Sequence, residues 1–386
     1  MSKKQPKGTS NEYWSNPTMT KALEIALYYG FTPAEPVTVE KKDSDIGKHF
    51  LTEKYDLIRP AEKAALIRTW FGEGSSQIPV TIATPHTEHK TGKSTEYSLD
   101  VLGTSRSIAD ATLIKTAYEI VRSQGYEDVT LELNSIGDRE SFARYTRELG
   151  NYYRKHMNEI QAECRQLIKK DLYTTLTCEH PECQAVMNRA PHAMNYLSEP
   201  SRTYFMELLE LLETTDIPFS INNALLANHE FAMHTVFKIY GNNGKENEVI
   251  AYGTRWGVIA KKMGFKKDIQ GMSATVLITR PEKIEKAARV KKPQCYFIQM
   301  GSEAKLKSLR VIEVLRQSRI PVYHSLTKDK LTAQLMSAEN LKVPYILIMG
   351  QKESLENTIL IREMQNRSQE TIRVEQVADY LKQILH

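Results

Sequence analysis

The apolar positions change period along the chain, and those changes predict where its elements fall. From Thr20 to Tyr29 the residues Ala22, Leu23, Ile25, Ala26 and Leu27 form a helical stretch that stops at Gly30, a residue type suited to a left-handed helix cap. Phe31 to Glu40 holds two prolines and alternating valines, which predicts an entering edge strand. Ser94 to Gly103 alternates toward Leu99 and Val101 as a strand does. Ile108, Ala111, Ile114, Ala117 and Val121 make a helical stripe closed by Gly125, and Val129 to Gly137 is an alternating strand entering a turn.

Residues 138–216 read as mostly helical, for example Tyr204, Leu208, Leu211 and Leu212 behind a Ser198 cap with Pro200 in the first turn. Ile221 to Tyr240 has the frame of a strand and turn, with Val249 to Tyr252 as a hairpin return. The last hundred residues alternate strand and helix: 295–300, 303–318, 321–324, 331–341, 345–349, 358–363, 371–374 and 375–385. That spacing predicts a three-layer α/β domain with a mixed sheet.

With 386 residues, 41% hydrophobic and 26% charged, the chain is expected to form two or three domains of an ordinary soluble protein. No apolar run is long enough to cross a bilayer, and no apolar core follows the charged start, so a cytoplasmic protein with a disordered tail at 1–17 and no membrane partner is expected. The net charge of +5 is concentrated late: residues 282–386 carry 18 Lys and Arg against 12 Asp and Glu. That balance allows a phosphate-facing end. Four cysteines suit a reducing compartment. Cys178-Glu-His-Pro-Glu-Cys183 offers three zinc ligands, but a closed site takes four and no second cluster follows, so no metal is expected. Thr91-Gly92-Lys93-Ser94 ends like a phosphate loop, yet Thr87 stands where that loop has glycine and a strand follows instead of a helix.

Several stretches together resemble the histidyl-tRNA synthetase family. Asn222, Leu225, Thr235, Val236 and Phe237 keep the frame of its histidine-specific strand, loop and strand. Arg59, Pro60, Ala64 and Arg68 match its Leu-Arg-Pro segment, and Val129 to Gly137, Ile346 to Gly350 and Asn366 to Ile372 are similar as well. The resemblance runs from residue 18 onward. It implies an α+β class II synthetase-like catalytic core, an antiparallel sheet with helices, at 18–137 and 217–281. It implies a helical insertion domain at 138–216, a linker at 282–292 and a C-terminal α/β anticodon-binding-type domain at 293–386. It further implies a homodimer, or a heterodimer with a related synthetase.

Where the family holds substrate and ATP, this chain carries other residues. The glutamate and threonine that contact histidine fall on Ala61 and Lys63. The arginine that clamps the α-phosphate falls on His86, an imidazole without the bidentate fork. The loop arginine, aspartate and second tyrosine fall on Ala227, Glu230 and Ala232, the tyrosine that closes on substrate falls on Arg255, and the third-motif arginine falls on Ile278. Glu88 matches, while Glu96 and Asp100 replace Gln and Glu, which leaves these three as candidates for binding a residual cationic ligand. Lys305, Lys307, Arg310, Lys328 and Lys330 are candidates for phosphate contacts, as are Lys155, Arg165, Lys169 and Lys170 in the helical middle.

Adenylation requires positive charge at the α-phosphate and at the leaving pyrophosphate. Loss of both arginines predicts a catalytically inactive family member that binds tRNA or another structured RNA, or regulates a protein partner, with no cofactor. The alternative is an active histidine-tRNA ligase, using ATP and Mg, with a divergent pocket. A pocket that binds another ligand without chemistry is a third reading. A regulator of histidine biosynthesis in the same family lacks the C-terminal domain that this chain has.

Overall fold

The computed structural model describes residues 20–50, 58–72, 80–87, 95–126, 128–173, 176, 178, 180–242, 247–278, 292–325, 328 and 330–385. The expected tail at 1–17, Glu88, the segment 91–94 and all but the end of the expected linker at 282–292 lie outside them.

Helix α1 (Lys21–Tyr28) starts where Thr20 accepts a hydrogen bond from the Leu23 amide, and it ends before Gly30 at φ 84°. The entering strand β1 (Thr32–Pro33) is two residues long rather than the predicted ten, because Pro33 and Pro36 remove ladder donors. Helix α2 (Lys41–Lys48) has one aliphatic residue with a large side chain, Ile46, and so left no periodic signal. It forms because Asp43 accepts from the Glu40 amide and is gripped by Arg68. Helix α3 (Pro60–Phe71), with Pro60 at its first position, precedes β2 (Val80–Thr87) and β3 (Thr95–Leu102). Helix α4 (Ser107–Ser123) and β4 (Val129–Ser135) follow as predicted.

The helical middle contains α5 (Arg139–His156), α6 (Ala162–Lys170), α7 (Pro181–Met187) and α8 (Glu199–Glu213), the last capped by Ser198 as expected. Strands β5 (Phe219–Ile221), β6 (Ala232–Asn242) and β7 (Asn247–Trp256), the short helix α9 (Ile259–Lys262) and β8 (Gly271–Ile278) complete this part. The eight strands lie in the order β1-β2-β3-β8-β7-β6-β4-β5, antiparallel except for the β1–β2 and β4–β5 pairs.

Strand alternation divides the sheet into two faces. The rear face packs Leu99, Val101, Met272, Ala274 and Phe237 against α1, α4 and α8. The front face packs Ile82, Leu102, Val236 and Trp256 with α3, the loop 222–231 and the helices α5 to α7. Helix α8 therefore belongs with α4 on the rear face through Phe205, Leu208 and Leu212.

The second sheet is built from β9 (Cys295–Gln299), α10 (Ser302–Gln317), β10 (Val322–His324), α11 (Leu331–Leu341), β11 (Tyr345–Met349), α12 (Gln351–Glu356), β12 (Thr358–Glu363), β13 (Gln369–Arg373) and α13 (Val377–Ile384). Its order, β10-β9-β11-β12-β13, is parallel through β11 and antiparallel beyond, the mixed sheet that the spacing predicts. It docks on the rear side of the first sheet. Arg316 reaches Glu119 of α4 at 2.9 Å, Tyr29 donates to Glu313, and His324 Nε2 donates to the Tyr28 carbonyl at 3.0 Å. No helix among the described residues is long and apolar enough to cross a membrane.

Candidate functional site

On the front face, β2 presents Thr84 and His86, β3 presents Glu96, Ser98 and Asp100, and the register with β8 sets Ser273 beside Asp100. These polar residues interrupt an otherwise apolar sheet, and α3 lies across them. Lys63 Nζ meets Asp100 Oδ1 at 2.7 Å, with the two side chains 4% and 1% exposed. Asp100 also accepts from Ser273, whose hydroxyl accepts from Trp256 Nε1 at 2.7 Å. One turn earlier on the helix, Arg59 meets Glu96 at 3.0 Å and Glu62 at 3.1 Å, with half of its side chain in water.

Of the three acidic candidates for a cationic ligand, the two within the described residues, Glu96 and Asp100, are thus paired with cations of the same chain. The space left between Lys63, Thr84, His86, Ser98 and Asp100 is about 10 Å³, enough for a single water. Asp100 Oδ2 is buried and accepts no hydrogen bond from a described group.

Helix α2 seals the edge of this floor. A Cβ on Gly47 would come within 2.9 Å of Ala61 Cβ, so position 61 sits tight under the helix. Arg68 holds α2 there through Asp43 at 2.7 Å and Glu40 at 3.0 Å. Burial pushes the Asp43 carboxyl up, but the hydrogen bonds from Arg68 outweigh it and hold the group below the usual carboxylate range. Ala227 and Ala232 are buried in an apolar patch where Phe50 and Phe231 meet edge to face at 5.7 Å. Asn228 ties that loop to the Phe50 carbonyl at 2.6 Å, whereas Glu230 is exposed. The structure therefore brings Ala61, Lys63, His86, Glu96, Asp100, Ala227 and Ala232 to the front side.

It does not bring Arg255 or Ile278 there. In the β7–β8 register Thr254 pairs with Ser273 and Arg255 with Met272, so Arg255 takes the rear face. Its guanidinium is fully buried against Asp110 of α4, donates to the carbonyls of Thr104 at 2.9 Å and Arg106 at 3.1 Å, and lies 5.3 Å from the Tyr204 ring centre. Ile278 pairs with Thr95 at the end of β8 and faces the same rear core. Neither position lines the floor.

The phosphate candidates also divide. Lys305 is 5% exposed and is withdrawn, because its place on α10 faces the core. Lys307 donates to the Ser354 carbonyl, and half-buried Lys328 donates to Ser337 at 2.8 Å; burial lowers the Lys328 pKa. Arg310 and Lys330 are exposed.

One constellation went unseen in the sequence. The fourth donor judged missing from the Cys178–Cys183 segment is Cys164 on α6, whose sulfur lies 3.4 Å from that of Cys178. The prediction that no fourth ligand accompanies the three is overturned, because the connection between α6 and α7 folds back on the first turn of α6. The only available signal was a cysteine one helix upstream.

Residues 294–384 match a family model described as an anticodon binding domain. The chain is 27% identical over 295 residues to a histidine–tRNA ligase of Dehalococcoides mccartyi, covering 75% of this chain and 70% of that protein. It is 26% identical over 334 residues to the histidine–tRNA ligase of Listeria monocytogenes, covering 82% and 78%. The apo crystal structure of S. aureus histidyl-tRNA synthetase superimposes over 99% of this chain and 98% of that one, with a TM-score of 0.50 and 17% identity, a likeness of fold.

Proposed function

The chain belongs to the histidyl-tRNA synthetase family, and from that premise we propose that it is a tRNA-binding protein whose amino-acid activation site is closed by its own salt bridges. The observation that carries this reading is the buried Lys63–Asp100 pair. A histidine ammonium can reach Asp100 only by displacing Lys63, which would leave the lysine charge buried without its partner. The two positions matched to the ATP arginines carry an imidazole, His86, and a side chain turned into the rear core, Ile278, so the residues there do not fit ATP with Mg. Each lost donor of this kind costs about 10²- to 10³-fold in rate.

Binding of tRNA is assigned to the second sheet, where the anticodon-binding match lies and where Arg310 and Lys330 reach solvent. Dimerisation through the α1–β1 end accompanies this reading, and sedimentation of the full chain checks it.

The test of the activity is pyrophosphate exchange with histidine, ATP and Mg²⁺, followed by filter binding of tRNA at low salt. The expected outcome is no exchange above a no-enzyme blank together with saturable retention of tRNA. Exchange at the rate of a working synthetase would overturn the closed site, and absence of retention would overturn the RNA assignment. Arg310→Glu and Lys330→Glu should each lower affinity across all tRNAs and reduce the salt slope by about one.

A further inference from the structure

Four donor side chains that the proposed function does not use converge in the helical middle. Cys164 stands in the first turn of α6 and Cys183 in the first turn of α7, both buried. Half-buried Cys178 and exposed His180 come from the segment that joins those helices. The Cys178 sulfur lies 3.4 Å from His180 Nδ1, and the Cys164 sulfur lies 3.4 Å from that of Cys178 and 3.6 Å from the same Nδ1. All four donor atoms lie within 4.8 Å of one another.

These spacings are those of the edges of a coordination tetrahedron. With Zn–S bonds of about 2.3 Å and a Zn–N bond of about 2.0 Å, sulfur–sulfur edges are about 3.8 Å and sulfur–nitrogen edges about 3.5 Å. The cysteines are free, and the shortest sulfur separation is far beyond the roughly 2.05 Å of a disulfide. Three sulfurs and an imidazole are a soft donor set, suited to zinc and unsuited to calcium or magnesium.

We propose that Cys164, Cys178, His180 and Cys183 form a structural Zn²⁺ site that ties α6 to α7. The protein fills all four positions, so the metal holds the insertion together and has no open position for substrate. Binding replaces the thiol protons with the metal, and those protons are released to solvent. The site pins the first turns of two helices and the polar connection between them, a region that lies apart from the floor of the sheet.

The test is the zinc content of the full-length protein, purified under reducing conditions without chelator and measured by mass spectrometry of the element. One zinc per chain is expected, retained through desalting and released by titration with a mercurial reagent. His180 is exposed, so His180→Ala should lose the metal while keeping the far-UV circular dichroism of the parent. His180→Cys, which restores a fourth thiolate, should keep it, as should Cys295→Ser in the second sheet. Cobalt added to the metal-stripped parent should give the visible bands of tetrahedral thiolate-bound Co²⁺, and His180→Ala should not. A folded parent that binds neither zinc nor cobalt stoichiometrically would overturn the proposal, as would a zinc content unchanged in both His180→Ala and Cys178→Ser.

Discussion

The front and rear faces of the eight-stranded sheet each contain a buried ion pair, and the two are finished to different degrees. At the rear, Asp110 accepts from Arg255, from Tyr204 at 2.8 Å and from Thr235 at 2.6 Å, while the remaining guanidinium donors reach two backbone carbonyls. At the front, Lys63 and Asp100 are as deeply buried, but Asp100 Oδ2 has no described donor. A network with every member satisfied rigidifies the core, whereas an unpaired buried polar group is costly. The rear pair is structure. The front pair is equally buried but leaves one carboxylate oxygen without a described donor.

Asp110→Asn tests the rear most severely, since it strands the Arg255 charge in the core. Urea denaturation should show a loss of about 3–5 kcal/mol. A loss below about 1 kcal/mol would erase the distinction drawn between the faces.

The next effect lies where the rear side meets the second sheet. Burial lowers the His324 pKa from 6.5 to about 4, against the opposing effect of its hydrogen bond to Tyr28. The folded state therefore holds His324 neutral. Its contribution is complete above the unfolded value near 6.5 and is lost as the pH falls toward 4. Across that window the stability of the parent should fall by about 2–3 kcal/mol more than that of His324→Gln, measured as the difference between their urea midpoints.

Lys63→Met should cost less than Asp110→Asn, about 1–2 kcal/mol, because a stranded carboxyl can take up a proton whereas a stranded guanidinium cannot lose one. A cost equal to that of Asp110→Asn would mean that the front is as closed as the rear. The smallest change is expected of the double variant Lys63→Met with Asp100→Asn, within about 1 kcal/mol of the parent, since removing both charges removes the desolvation penalty with the attraction. The double-mutant cycle with the single variants then measures the coupling of the front pair directly.

Much of this architecture was legible from local pattern. The second sheet's strands and all but one of its labelled helices lie within about two residues of the periodic stretches that predict them, because each is an uninterrupted run bounded by Gly, Pro or polar residues. Helix α12 was missed for want of length, and α2 because its stability comes from Arg68, outside its own sequence. The replacements at Ala61, Lys63 and His86 were readable by comparison with a known motif, and the structure places all three at the floor. That Arg255 and Ile278 turn to the rear face was not readable in the same way: a shift of one residue on a strand exchanges one face for the other, and local pattern alone does not set that register.

The sequence by itself determined most of the elements, their order and the resemblance to histidyl-tRNA synthetases, since these depend on periodicity, capping and short motifs that are local in the chain. Tertiary structure decided which charges meet. Lys63 and Asp100 are 37 positions apart, Arg255 and Asp110 are 145, and Cys164 and Cys178 are 14. Whether such groups form a pair, a floor or a metal site depends on distances of a few ångströms that arise only once sheet, helices and register are in place.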